Sequence, residues 1–208
     1  MSVKNYKFYN TSLGWIHFFI ALITFSLTVE PTASFWDAGE YIATSAKLQV
    51  GHPPGAPLFQ MIGAFFAMFA PNVEKVALFV NLMSVFSSAF TILFMFWTLT
   101  LILRKLPAFK NINTKSDYIG FFGSASIGSL AFCFSDSFWF NAVEAEVYAM
   151  ATLILSVLFW LGLKWEQKMN TAYGDRWLLL ISFIIGLSFG VHFMGLLTIP
   201  AIGMLYYF

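Results

Sequence analysis

Asp37 and Glu40 stand three residues apart in the run Phe35-Trp-Asp-Ala-Gly-Glu-Tyr41, so a helix here would carry both carboxylates on one face. Close carboxylates can share one raised pKa, hold a divalent cation, or take the proton of a hydroxyl. Downstream, Gly51-His-Pro-Pro-Gly-Ala-Pro57 sets His52 in a chain stiffened by Pro53 and Pro54 and flanked by glycines, which holds the imidazole at a fixed turn. Two later runs add Glu144 and Glu146 (Trp139-Phe-Asn-Ala-Val-Glu-Ala-Glu-Val-Tyr148) and His192 (Gly190-Val-His-Phe-Met-Gly195). Each element has an ordinary reading too: acids at a solvated helix start, a turn histidine, or acids at a helix N-terminus, where negative charge is favoured. Glu144 and Glu146 are two apart and would face different sides of a helix, so at most one is expected to reach a common site.

What must position these groups is a membrane bundle. The 208 residues are 59% hydrophobic and 10% charged, against roughly 25% charged in soluble chains, and the mean hydropathy is +0.76. Lipid is the expected solvent. A net charge of +1 offers no basic stripe for a nucleic-acid partner. The single cysteine, Cys133, leaves neither an intrachain disulfide nor a cysteine metal site.

A crossing helix needs about 20 apolar residues. Runs without Asp, Glu, Lys or Arg predict an all-α transmembrane bundle with spans at 11–29, 76–103, 118–135, 147–163, 177–193 and 194–208, the last two divided near Gly190 and Gly195. Trp36, Trp139, Tyr148, Trp165 and Trp177 near run ends fit an interfacial belt. Residues 1–29 resemble a signal peptide only loosely, because the apolar run is too long and Pro31 to Ser34 makes a poor cleavage site. One membrane domain over 1–208 is the simplest count, and the apolar end at Phe208 suggests the front portion of a longer protein.

The stretch 56–73 is a short span or an interfacial or re-entrant helix, and charge decides between them. If it does not cross, residues 1–10, 104–117 and 164–176 share one face and hold nine of the eleven basic residues. If it crosses, that face keeps only Lys4, Lys7 and Lys75. The positive-inside rule selects the first arrangement, with a cytoplasmic N-terminus. The opposite face then holds seven of the ten acids, beside only Lys47 and Lys75.

The motifs W-D-A-G-E, H-P-P-G and A-V-E-A-E-V-Y together resemble the N-terminal part of the membrane family called domain of unknown function 2723, grouped as glycosyltransferase family 117 in the GT-C superfamily, which includes protein O-mannosyltransferase-like enzymes. The resemblance runs from the first helix to the end of the chain. It implies a GT-C-like helical core with interfacial helices in the first external loop. It also implies transfer of a mannose-like sugar from a polyprenyl-phosphate donor to a hydroxyl acceptor, possibly a protein, on the non-cytoplasmic face. A bacterial cytoplasmic membrane with a periplasmic site is the expected location.

The residues make that chemistry sensible. No Gly-rich phosphate loop such as GxGxxG is present, and a site outside the cytoplasm has no ready pool of nucleotide sugars. Asp37 is the candidate base, with Glu40 orienting it or the acceptor. Trp36, His52, Pro53, Pro54, Glu144, Glu146 and His192 are candidates for donor and acceptor binding, and His52 and His192 could bind the phosphate or protonate it. No cofactor is certain; a divalent cation, if one binds, would sit at Asp37 and Glu40. Phosphate stabilisation usually recruits Arg or Lys, which this face lacks beyond Lys47 and Lys75. Further sequence, a metal held by the acids, or the histidines must therefore supply the positive charge. His17, inside the first span, is either a functional intramembrane group or a neutral, hydrogen-bonded packing residue. A transporter or lipid flippase and a non-catalytic scaffold are the alternative functions. Ionisable groups gathered at one interface, and not at mid-depth, favour the enzyme.

Overall fold

The computed structural model describes residues 3–110 and 112–207, with side chains from Tyr6 onward. Among the described residues the regular structure is helical: α1 (Val3–Thr28), α2 (Ala38–Lys47), α3 (Pro57–Ala67), α4 (Val76–Leu103), α5 (Lys115–Cys133), α6 (Asp136–Ala142), α7 (Val147–Glu166), α8 (Asp175–Ser188) and α9 (Thr198–Tyr207). Single 3-10 turns lie at Val73–Lys75, Pro107–Phe109 and Phe193–Leu197.

Three stretches are long and apolar enough to cross a membrane: Tyr6–Thr28, Val73–Leu103 and Val147–Glu166. These fit a membrane protein. A fourth arises if α5 and α6, bent by 66° at Phe134 and Ser135, are taken as one span. Glycines and serines dilute the apolar character of α5. The predicted spans 177–193 and 194–208 correspond to shorter elements. At 14 residues α8 reaches about 21 Å, short of a hydrocarbon core of about 30 Å. The α9 segment follows a 3-10 turn and has ten residues. Within 56–73, α3 has 11 residues, about 17 Å.

The centre of the bundle is α4, whose Val80, Met83, Val85, Ile92, Leu93 and Phe96 are buried along its length. Helix α1 packs closely on one side. A Cβ at Gly14 would stand 2.4 Å from Trp97 Nε1, and that indole N–H donates to the Asn10 carbonyl at 3.1 Å. Helix α7 packs on the other side, and its outer face, through Leu158, Leu161 and Trp165, receives Ile181 of α8 and Ile202 of α9. Ile23 and Leu27 of α1 and Leu179 and Phe183 of α8 are exposed, as lipid-facing side chains must be.

His17 belongs to this packing. Its Nδ1 donates to the Leu13 carbonyl one turn back, at 2.7 Å, and its ring stacks on Phe96 with centroids 4.6 Å apart.

Helices α2 and α3 form a small unit at one end of α4. Gly63 meets Ser45 so closely that a Cβ would lie 2.5 Å from its hydroxyl. Tyr41 and Phe59 join Val80, Met83, Val147 and Met150 in one buried cluster, which fixes this unit against α4 and α7.

Candidate active site

The site assembles where α1 ends and α4 and α7 begin. Asn81, buried on α4, donates from Nδ2 to the carbonyls of Glu30 at 2.7 Å and Thr32 at 2.9 Å, which ties down the chain leaving α1. Trp36 then adopts φ 57°, a left-handed conformation that costs a non-glycine residue roughly 1–2 kcal/mol. The turn delivers Asp37 as the N-cap of α2, with Glu40 in the first helical turn. The predicted proximity of the two acids is therefore realised at a helix start.

Their roles diverge. Glu40 Oε1 accepts the backbone N–H of His52 at 2.6 Å, and Oε2 meets His52 Nδ1 at 3.0 Å. Both oxygens are thus engaged by one residue. Gly51 allows it, since a Cβ there would stand 3.1 Å from Glu40 Oε1 and 3.0 Å from Gln60 Nε2. The other imidazole nitrogen, Nε2, faces Asp37 Oδ2 at 3.9 Å. His52 lies between two carboxylates, and its pKa is raised, first by the hydrogen bond to Glu40. The same contacts, led by the His52 backbone N–H, lower that of Glu40.

Asp37 and His52 open onto a cavity of about 440 Å³ whose far wall carries Glu144, Glu146, Tyr148 and His192. Residues 143–146 are a bend between α6 and α7, not helix. The expectation that only one of Glu144 and Glu146 reaches the site is therefore corrected. The Glu146 N–H donates to the Glu144 carbonyl at 2.9 Å, and the resulting turn brings both side chains to the cavity wall. Glu144 is 2% exposed. One of its oxygens accepts the Ser34 hydroxyl, and the other has no hydrogen-bond partner. Burial, partly opposed by Ser34, raises its pKa. Burial, with the charges of Glu144 and Asp37, pushes Glu146 up to about 7.

His192 is delivered by backbone packing. The Gly190 carbonyl accepts the N–H groups of Leu58 and Phe59 at 2.8 and 3.2 Å, satisfying two free donors at the start of α3. A Cβ on Gly190 would stand 2.8 Å from Leu58 Cβ. His192 Nδ1 accepts the Met194 N–H at 3.3 Å. A neutral ring in that arrangement carries its proton on Nε2.

Of the residues singled out from sequence, Trp36, Asp37, His52, Pro54, Glu144, Glu146 and His192 line the cavity. Glu40 stands behind His52, and Pro53 is not in the wall. Neither Lys47 nor Lys75 lines it. Among the described residues the histidines are thus the groups in the wall able to carry positive charge. Asp37, Glu40 and His52 could also offer a cation one atom each, all within 4.8 Å of one another. With Glu40 held by His52, such an ion would meet Asp37 and Nε2 first, and Glu40 would orient the imidazole from behind.

A family model described as the protein O-mannosyl-transferase TMEM260 N-terminal domain matches residues 37–208, beginning at the candidate base. The chain belongs to that family. The protein O-mannosyl-transferase tmem260 of Dictyostelium discoideum is 27% identical over 195 residues, covering 88% of this chain and 22% of the relative. The protein O-mannosyl-transferase TMEM260 of Mus musculus is 26% identical over 164 residues, covering 79% and 21%. The chain therefore spans about a fifth of the length of these curated relatives. No solved structure matches it.

In this TMEM260-type domain, sequence reasoning gave Tyr41 no role and took Tyr148 only as an interfacial aromatic. The Tyr41 ring lies 5.9 Å from that of His52, and the Tyr148 ring 5.4 Å from that of His192. Burial pushes the Tyr41 phenol up to about 12, so it stays a neutral donor. The signal was there: each tyrosine closes one of the acidic motifs.

Proposed function

We propose that this chain forms the catalytic end of a membrane glycosyltransferase that moves a mannose-like sugar from a polyprenyl-phosphate donor to a hydroxyl of an acceptor protein, on the non-cytoplasmic face. The observation that carries the reading is His52 held between Asp37 and Glu40 at a cavity that also presents buried Glu144 and Glu146. The names of the relatives support mannose and a protein acceptor. The GT-C-like character of the first external loop rests on the resemblance, and the short α3 suits an interfacial helix there.

In this reading Asp37 takes the proton of the acceptor hydroxyl as its oxygen bonds to the anomeric carbon. The bond from that carbon to the phosphate oxygen breaks, and the electron pair leaves with the polyprenyl phosphate. His52 and His192 donate N–H groups to that phosphate, a cationic His52 being worth most as charge develops there. Glu40 positions His52. A divalent ion, if held by Asp37 and the deprotonated Nε2 of a neutral His52, would replace the imidazolium as the positive charge facing that phosphate.

The orientation follows from charge. Lys7, Arg104 and Lys164 mark the opposite ends of the three spanning helices, and positive ends lie in the cytoplasm; in a bacterial cell the site would then face the periplasm. The test is transfer by the full-length protein from radiolabelled polyprenyl-phosphate mannose to a protein acceptor. Labelled product from this donor and none from a nucleotide sugar is expected. Equal use of a nucleotide sugar, or transport without transfer, would replace this reading.

A further inference from the structure

The basic end of the bundle contains a second cavity, of about 380 Å³, for which sugar transfer has no use. It lies between the three spanning helices. Lys7 and Thr11 of α1, Trp97 and Arg104 at the end of α4, and Trp160 and Lys164 of α7 form its walls. Lys164 stands within the electrostatic reach of the like charges of Arg104, Lys7 and Lys168.

None of the described carboxylates pairs with Lys7, Arg104 or Lys164. Glu166 pairs instead with Lys105, and Asp117 accepts the backbone N–H groups of Asn113 and Thr114. Helix dipoles explain part of the arrangement, since Arg104 and Lys164 stand near C-terminal ends, where positive charge is favoured. Lys7 stands near the N-terminal end of α1, where it is disfavoured. Selection for topology places cations at this end of the bundle but does not require them to converge on one cavity.

Aromatic rings hold the cations in place. The Arg104 guanidinium lies 4.6 Å from the Tyr6 ring centre, and the Lys164 ammonium 5.6 Å from that of Trp160. Trp97 and Trp160 lie 5.9 Å apart, and the Trp97 indole is anchored on Asn10. Three like charges around one cavity repel one another until an anion sits among them. Headgroup phosphates lie at the depth where spanning helices end, and basic pockets between helices suit them.

We propose that this cavity binds a phosphate group through Lys7, Arg104 and Lys164, and that an anionic lipid headgroup supplies it. The full-length protein in neutral detergent would be offered phosphatidylglycerol and phosphatidylcholine, with retained lipid read by native mass spectrometry and inorganic phosphate added as competitor. Preferential retention of phosphatidylglycerol is expected. Lys7→Gln and Arg104→Gln should each reduce it about fivefold, while Lys110→Gln and Lys115→Gln, outside the cavity, should not. No displacement by inorganic phosphate identifies the lipid as the source; displacement identifies free phosphate, and either supports a phosphate site. If Arg104→Gln fails to accumulate, Lys7→Gln, at an exposed helix end, carries the test alone. Equal retention of both lipids with no effect of phosphate, or wild-type retention in the lysine variant, would overturn the proposal.

Discussion

The carboxylate of Glu40 accepts the backbone N–H of His52 at 2.6 Å and meets its ring Nδ1 at 3.0 Å, so one acid fixes both the loop and the imidazole. The His52 contribution to stability is fully present below its ordinary pKa of 6.5 and is lost as pH rises through its raised folded value. The Glu40 contribution is present above 4.5 and is lost as pH falls through its lowered value. Glu40→Gln should move the His52 titration, followed by histidine NMR, back toward 6.5. It should leave transfer between wild type and Asp37→Asn. An unmoved midpoint would mean that Glu40 does not hold the imidazole.

Glu146 titrates the other way for an acid. Its pKa is raised from 4.5 to about 7, so its contribution is present below 4.5 and is lost as pH rises toward and through 7. Glu146→Gln should remove that dependence and leave the protein more stable than wild type at pH 8, by about 3 kcal/mol. Thermal unfolding at pH 5 and pH 8 reads the difference. Parallel behaviour of the two proteins would show that Glu146 is not held in a dry environment.

Gly190→Ala tests the strut that delivers His192. Its new methyl would stand 2.8 Å from Leu58 Cβ, and overpacking of this kind costs about 1–3 kcal/mol. The expected result is a lower unfolding temperature together with weaker donor binding. A wild-type unfolding temperature would show that α3 moves freely against residue 190.

Topology is tested at Asn113. A cysteine placed there should resist impermeant thiol reagents in intact cells and react after permeabilisation. Labelling from outside would reverse the orientation and move the site to the cytoplasmic face.

The sequence was most readable where the local rules hold. The spacing of Asp37 and Glu40 puts both acids on one face once the segment is helical, and charge-free runs located α1, α4 and α7. It was less readable where long-range contacts decide. Glu40 takes His52 because Gly51 lets the chain approach, which no periodicity reveals. Glu144 and Glu146 share one wall because a bend replaces the expected helix. Residues 177–193 form a short helix because the chain turns at Gly190 to cap α3. Asn81 looks like any polar residue of an apolar helix until its two bonds to the 30–32 backbone are seen.

The central claim is that Asp37 is the base of a sugar transfer. Asp37→Asn in the full-length protein keeps size and some hydrogen bonding while removing the basic lone pair, and the exposed position tolerates the change. Transfer from radiolabelled polyprenyl-phosphate mannose should fall about 10²- to 10⁴-fold, with expression and membrane insertion near normal. Transfer at the wild-type rate would contradict the assignment and pass the role to Glu144 or Glu146.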